Sequence, residues 1–166
     1  MALKGKIQEN LKAALFAKNE VELSVLRLLI SAVNAKETEK RTKIWKQKPE
    51  LKTEELIKES QLQDGEILDA VSAEIKKRRE AIELYEKGGR SELAEKEKKE
   101  LAILQKYLPA QLPEEEIRKF VGEAIAKTEA KEMKDMGKVM QELMSKVKGK
   151  ADSGLVSKIV KELLGA

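Results

Sequence analysis

Neither cysteine nor histidine occurs in this chain of 166 residues. Their absence removes cysteine nucleophiles, imidazole acid–base chemistry, Ser-His-Asp constellations, and thiolate or imidazole metal ligands. Aromatic residues are almost as scarce, limited to Phe16, Trp45, Tyr85, Tyr107 and Phe120. So few rings do not make the repeated platforms on which single-stranded bases stack. Folded RNA can still be recognised through the shape and charge of its sugar-phosphate backbone. The strongest apolar cluster, within residues 21–33, is interrupted by Glu22, Ser24, Arg27 and Ser31. That pattern suits burial between helices and not a membrane span. The opening run Met1-Ala2-Leu3-Lys4-Gly5-Lys6 lacks the apolar core and small-residue cleavage pattern of a signal peptide. A cytoplasmic protein without membrane association is expected, and a monomer. Carboxylates are scattered among lysines as on a solvated helical surface, and there is no ATP-binding P-loop. No metal site, cofactor or catalytic residue is therefore expected.

What is present is charge and helical periodicity. The hydrophobic content of 41% supports a real core, and the formal net charge is +4. Residues 134–161 hold seven lysines against Asp135, Glu142 and Asp152, a net +4 equal to that of the whole chain. Within this stretch a short helix-turn-helix combines lysines, small residues and an apolar stripe, which reads as a surface for a phosphate backbone. Its candidate nucleic-acid-binding residues are Gly137, Lys138, Lys148, Gly149 and Lys150. The same residues have a plainer reading, in which glycine allows close helix packing and lysines beside Gly149 favour a helix C-terminus. A second basic segment, residues 36–52, has seven basic residues against three acidic ones. Lys40, Arg41, Lys43, Lys46 and Lys48 are candidates for a secondary basic surface, and a solvent-facing helix end explains them equally well. Trp45, among these charges, is expected to anchor the helix end by burial in preference to serving as an exposed stacking residue.

An all-α fold is predicted. Leu3, Ile7, Leu11 and Leu15 form one face of a helix over about 3–17. A long second helix starts near Glu20 and presents Val21, Val25, Leu28, Leu29, Ala32 and Val33 before a charged continuation. Pro49 ends it. Thr53, Glu54 and Glu55 start a short helical turn. Asp64 is predicted to cap a longer helix carrying Leu68, Val71, Ile75, Ile82 and Tyr85 until Gly88-Gly89 breaks it. Ser91 begins the next helix, with Leu93, Leu101, Leu104 and Leu108 on one side. Arg78, Arg90, Glu97 and Glu100 are expected to meet as a structural ion network bridging helices.

Pro109 and Pro113 bound a semi-rigid hinge at 109–112, so residues 1–108 are predicted as a helical N-terminal domain and residues 113–166 as a small three-helix domain. Pro113 suits a helix start, and Glu114, Glu115 and Glu116 suit its positive end. Ile117, Phe120, Val121, Ala124 and Ile125 make one apolar face. Met136, Val139, Met140, Leu143, Met144 and Val147 make the next, its methionines read as core fillers. Asp152 is predicted to cap a last helix carrying Leu155, Val156, Ile159, Val160 and Leu163.

Several segments in this order carry a family resemblance. They are Arg27 with Ser31-Ala32-Val33-Asn34-Ala35-Lys36-Glu37, then Ile75-Lys76-Lys77-Arg78-Arg79-Glu80-Ala81 and Tyr85-Glu86-Lys87-Gly88-Gly89-Arg90. After Glu97 and Glu100-Leu101 come Tyr107-Leu108-Pro109-Ala110-Gln111-Leu112, Asp135-Met136-Gly137-Lys138-Val139-Met140 and Lys148-Gly149-Lys150-Ala151-Asp152. Together they resemble the YqeY-like family and the C-terminal tail it shares with the B subunit of the tRNA-dependent amidotransferase. The resemblance implies a helical N-terminal domain joined to a three-helix domain that elsewhere helps hold tRNA, and that also occurs attached to some glutaminyl-tRNA synthetases. It nominates Gly137 and Lys138 on the first tail helix and Lys148, Gly149, Lys150 and Asp152 at the turn, Asp152 as a cap. The implied partners are tRNA and an aminoacyl-tRNA synthetase or amidotransferase. Carbon–nitrogen ligase chemistry with glutamine as amide donor is associated with the family, but the chain is too short to contain the amidotransferase's catalytic body. A non-catalytic tRNA-binding accessory protein is expected, with a protein-interaction adaptor as the alternative.

Overall fold

The structure is a computed structural model that describes residues 2–165. Among the described residues there are α-helices, one 3-10 turn and no strand. The chain divides into two compact units at the Tyr107–Leu108 bond.

The first unit contains α1 (Leu3–Phe16), α2 (Glu20–Gln47), α3 (Thr53–Ser60), α4 (Asp64–Lys87) and α5 (Ser91–Gln105). Asn19 starts α2 by accepting the Glu22 N–H at 3.2 Å, with Glu20 and Glu22 in the first turn. The helix stops at Gln47, ahead of Pro49, whose ring disfavours helical backbone at Lys48. The cap position of α4 is Gln63 and not Asp64. The Gln63 N–H donates to Glu66 Oε2 at 2.8 Å, while Asp64 Oδ1 instead accepts the Leu3 N–H at 2.9 Å and ties the start of α1 to the start of α4. Ser91 begins α5 as expected, with Arg90 at the cap position. Gly89 closes the α4–α5 turn at φ +68°, where a Cβ is disfavoured.

The core of this unit is formed by Ile7 and Ala14 of α1, Val25, Leu26, Leu29 and Val33 of α2, Ile67, Ala70, Val71, Ile75 and Ile82 of α4, and Ala94 and Leu104 of α5. Leu15, Val21, Leu28 and Leu93 are exposed, contrary to the stripes read from spacing. For Leu15 the reason is geometric. At 3.6 residues per turn a ladder of every fourth residue rotates by about 40° per step, so Leu15 has turned well away from Leu3, and Ala14 takes its place.

In the second unit α6 (Glu114–Thr128), a 3-10 turn (Met133–Asp135), α7 (Met136–Val147) and α8 (Ser153–Leu164) surround one core, with each α-helix packed on the other two. Pro113 precedes α6, with Glu114, Glu115 and Glu116 in its first turn. Asp152 caps α8, its Oδ1 accepting the N–H groups of Gly154 and Leu155 at 2.9 and 3.0 Å. Ile117, Val121, Ala124, Val139, Leu143, Val147, Val156, Ile159, Val160 and Leu164 are buried, and Met136 and Met140 pack against them. Met144 and Leu163 are exposed, so Met144 is not a core filler and Leu164 takes the inner position expected of Leu163. The proline-bounded segment lies within this unit: the Leu112 N–H donates to the Lys150 carbonyl at 2.7 Å, and Gln111 Nε2 donates to the Gly149 carbonyl at 2.9 Å. No helix among the described residues is long and apolar enough to cross a membrane.

Candidate nucleic-acid interface

Val139, Leu143 and Val147 turn one side of α7 inward, which fixes the opposite side as solvent-facing. The exposed residues of α7 are Gly137, Lys138, Gln141, Met144, Ser145 and Lys146, with no carboxylate among them. Glu142, the one acidic residue within α7, is half-buried and drawn toward α6 by Lys127, 2.6 Å away. Lys138 stands at the beginning of this face and Lys148 just beyond its end, about 15 Å apart along the axis at 1.5 Å per residue.

The two glycines of the candidate site have different physical roles. Gly149 has φ +73°, so the turn between α7 and α8 itself requires it. Its carbonyl is taken by Gln111 and the carbonyl of Lys150 by Leu112, which holds the turn open to solvent at the exposed side chains of Lys148 and Lys150. Gly137 is helical and exposed, and a Cβ built on it would meet nothing within 4 Å. Internal close packing therefore does not account for it.

Electrostatics sharpen the face. From Leu108 onward the unit has eleven basic and ten acidic residues, so its net charge is only +1. The excess of residues 134–161 is thus offset elsewhere in the unit, largely by Glu114–Glu116 at the start of α6. Not all seven lysines are outward. Lys146 pairs with Glu123 at 2.8 Å and lies over the Phe120 ring, 5.2 Å from its centroid, which places it at the α6–α7 seam. The hydrogen bond and charge of Lys146 hold the Glu123 carboxyl below the usual range. Lys138 is 3.4 Å from Asp135 Oδ1. That carboxylate also accepts the N–H groups of Lys131 and Glu132, and the bond from Lys131 is the main cause of its lowered pKa. The lysine end of this pair is exposed and the contact is long, so a phosphate competes for the lysine.

Three residues of the second basic segment make polar contacts within the first unit. Lys40 Nζ donates to both Glu66 oxygens at 3.0 and 2.9 Å and to the Gln61 carbonyl. Arg41 Nε donates to Ser60 Oγ at 3.2 Å, and Lys48 pairs with Glu59 at 3.1 Å. These three tie the end of α2 to α3 and α4. Lys43 and Lys46 are exposed. Trp45 is 54% exposed and is not the buried anchor expected of it.

The expected ion network is smaller than its four members. Arg78 Nη1 donates to Glu97 at 2.9 Å and lies 2.6 Å from Glu100, joining α4 to α5 with Arg78 and Glu100 buried. Arg90 is exposed on the shallow depression along Gly89–Leu93, and among the described residues no ion pair joins it to the cluster. A pair not foreseen is Lys4–Glu37, its carboxylate buried and its lysine partly exposed. Glu37 lies on the buried side of α2 with Val25, Leu29 and Val33, where Lys4 of α1 reaches it. Among the described residues no group of three or more carboxylates is placed to hold a metal ion.

Residues 4–164 match the family described as Yqey-like protein. A curated relative, "Altered inheritance of mitochondria protein 41, mitochondrial" of Pyrenophora tritici-repentis, is 30% identical over 97% of this chain and 80% of its own length.

Proposed function

This chain belongs to the YqeY-like protein family, and on that premise we propose that it is a non-catalytic accessory protein that holds tRNA by its sugar-phosphate backbone, through the outer face of α7 and the turn after it. The observation that carries the reading is Gly137 beside Lys138 on the exposed side of α7, whose own exposed residues include no carboxylate, with Asp135 just ahead of the helix. Glycine is a poorer helix former than alanine, and nothing among the described residues approaches Gly137, in the first turn of α7, closely enough to require it. What it offers is close approach to the helix main chain from outside, next to cations that attract phosphate. Lys148 and Lys150 extend that face around the turn. Sequence-independent contact of this kind needs charge and shape, and neither a nucleophile nor a row of aromatic rings.

A salt-dependent titration of tRNA against the wild type and the K138A/K148A/K150A variant tests the reading. Affinity is expected to fall with salt, and the folded variant to bind several tRNAs more weakly with a salt slope shallower by about 2–3, near one per lost phosphate contact. Equal affinity and slope for the two proteins would reject the surface.

A second reading, an adaptor that docks on an aminoacyl-tRNA synthetase or amidotransferase without touching RNA, draws on Leu15, Phe16, Val21 and Leu28. These exposed apolar side chains lie at the end of α1 and the first half of α2, Phe16 at 85% exposure. Copurification with nuclease treatment separates the readings: a partner retained after RNA is destroyed supports the adaptor, and one lost with RNA supports tRNA-mediated association. A cytoplasmic location is part of the proposal, and cell fractionation distinguishes it from the mitochondrial placement in the relative's name.

A further inference from the structure

We infer that Trp45 is a stacking platform for one unpaired nucleobase of RNA, beside cations at the end of α2 that hold the adjoining phosphates. The inference rests on the RNA-binding reading and adds a second, chemically different contact on the first unit. Trp45 is the sole tryptophan of the chain, 54% exposed in the final turns of α2, and its ring makes no aromatic or cation contact among the described residues. Leu56 and Ser60 are the buried residues of α3, the helix that follows. Helical spacing sets Arg41 and Thr42 on the side of α2 that carries Trp45, with Lys46 adjoining and Lys43 on the far side, and Lys48 follows directly after the helix end.

The charges around the ring suit a polyanion. Arg41 is steadied by Ser60 Oγ, 3.2 Å from its Nε. Lys48 meets Glu59 at 3.1 Å with both side chains about half exposed, a pairing that a phosphate can displace. Residues 36–52 as a whole have seven basic residues against three acidic ones. A single ring holds a single base, so the platform supplements backbone contact and does not replace it. Such a contact fits a splayed base in a loop or at an end of a folded RNA, and it is sequence-tolerant because every base has a π face.

Because Trp45 is the only tryptophan, its emission reports on this contact alone. The full chain is titrated with an oligoadenylate of about twelve nucleotides, within the range of known single-strand sites, and with a blunt RNA duplex of equal length. Anisotropy of labelled RNA measures binding in parallel. Saturating oligoadenylate is expected to quench Trp45, and saturating duplex to leave its emission unchanged. W45A is expected to weaken oligoadenylate binding about tenfold with duplex binding retained, and W45F to keep most of the affinity. Absent oligoadenylate binding, unquenched emission at saturation, quenching by duplex and oligoadenylate alike, or equal affinities of W45A and wild type would each overturn the inference. So would an emission shift on anionic phospholipid vesicles with none on RNA. If duplex binds and loses affinity in K138A/K148A/K150A while Trp45 stays silent, stacking alone has failed. If neither RNA binds, the backbone reading has failed with it.

Discussion

Lys4 Nζ donates to both oxygens of Glu37, at 2.6 and 2.8 Å, and Glu37 Oε1 also accepts the Leu62 N–H at 3.2 Å. One carboxylate, 7% exposed, thereby joins α1, α2 and the connection between α3 and α4. Glu37→Ala is expected to destabilise the first unit by about 1–3 kcal/mol, because the Leu62 N–H loses its acceptor, while Lys4 retains access to water. Glu37→Gln keeps an acceptor and is expected to lose less. Urea unfolding followed by circular dichroism measures both, and equal losses would remove the Leu62 contact from the account.

Arg78 holds Glu97 and Glu100 through one nitrogen, and its Nε is buried without a partner. Arg78→Ala leaves two carboxylates facing each other between α4 and α5, and a loss of about 3–5 kcal/mol is expected. Lys158→Ala, at an exposed pair with Glu162 on α8, is expected to change stability by no more than about 1 kcal/mol. The same denaturation experiment compares them, and similar effects would refute the distinction drawn from burial.

Gly137 and Gly149 are expected to respond to alanine in opposite directions. Gly149→Ala forces a Cβ into left-handed backbone and is expected to cost about 1–2 kcal/mol. Gly137→Ala adds a methyl group in open space in the first turn of a helix, and a gain of no more than about 0.5–1 kcal/mol is expected. If Gly137 serves close approach of phosphate, the more stable variant binds tRNA less well. A Gly137→Ala protein with raised stability and unchanged affinity would remove this residue from the interface.

Asp152 caps α8 through the N–H groups of Gly154 and Leu155. Asp152→Ala is expected to cost about 1 kcal/mol without weakening tRNA binding, since it removes a negative charge from the turn. Asp152→Asn keeps the cap and is expected to retain most of the stability. A large loss of tRNA affinity in folded Asp152→Asn would assign the carboxylate a role in binding.

Tyr107 is buried, which is the main cause of its raised pKa, and Asn10 Nδ2 donates to its hydroxyl at 2.7 Å, a smaller opposing effect. A folded-state pKa above the unfolded value of about 10 means that its contribution to stability is complete below that pH. The contribution is lost as pH rises through the folded pKa. Tyr107→Phe is expected to flatten this part of the alkaline stability profile, and parallel profiles for the two proteins would discount the phenol.

Local signals were legible because their causes are local. Pro49 and Pro113 mark helix boundaries, Gly88-Gly89 breaks α4, and Asp152 caps α8 at the positions where their backbone chemistry acts. Asp64 misled because two acceptors fall within three residues of the same helix start, and Leu3, sixty-one positions away, recruited one of them. Leu15 and Leu28 misled because a helix rotates about 100° per residue, so a small error in phase moves a side chain from the core to solvent.

The sequence by itself determined the helical class, most helix ends, the apolar faces of the second unit and the concentration of lysines near the C-terminus, all set by residues within a few positions of one another. Only the tertiary structure decided which charges find a partner within the fold. Lys40, Arg41 and Lys48 are engaged by Glu66, Ser60 and Glu59, Arg90 stands apart from Arg78, Lys146 is drawn to Glu123, and Trp45 faces water. Those outcomes depend on partners eleven to twenty-six positions away in the chain, brought within reach by packing that no local pattern encodes.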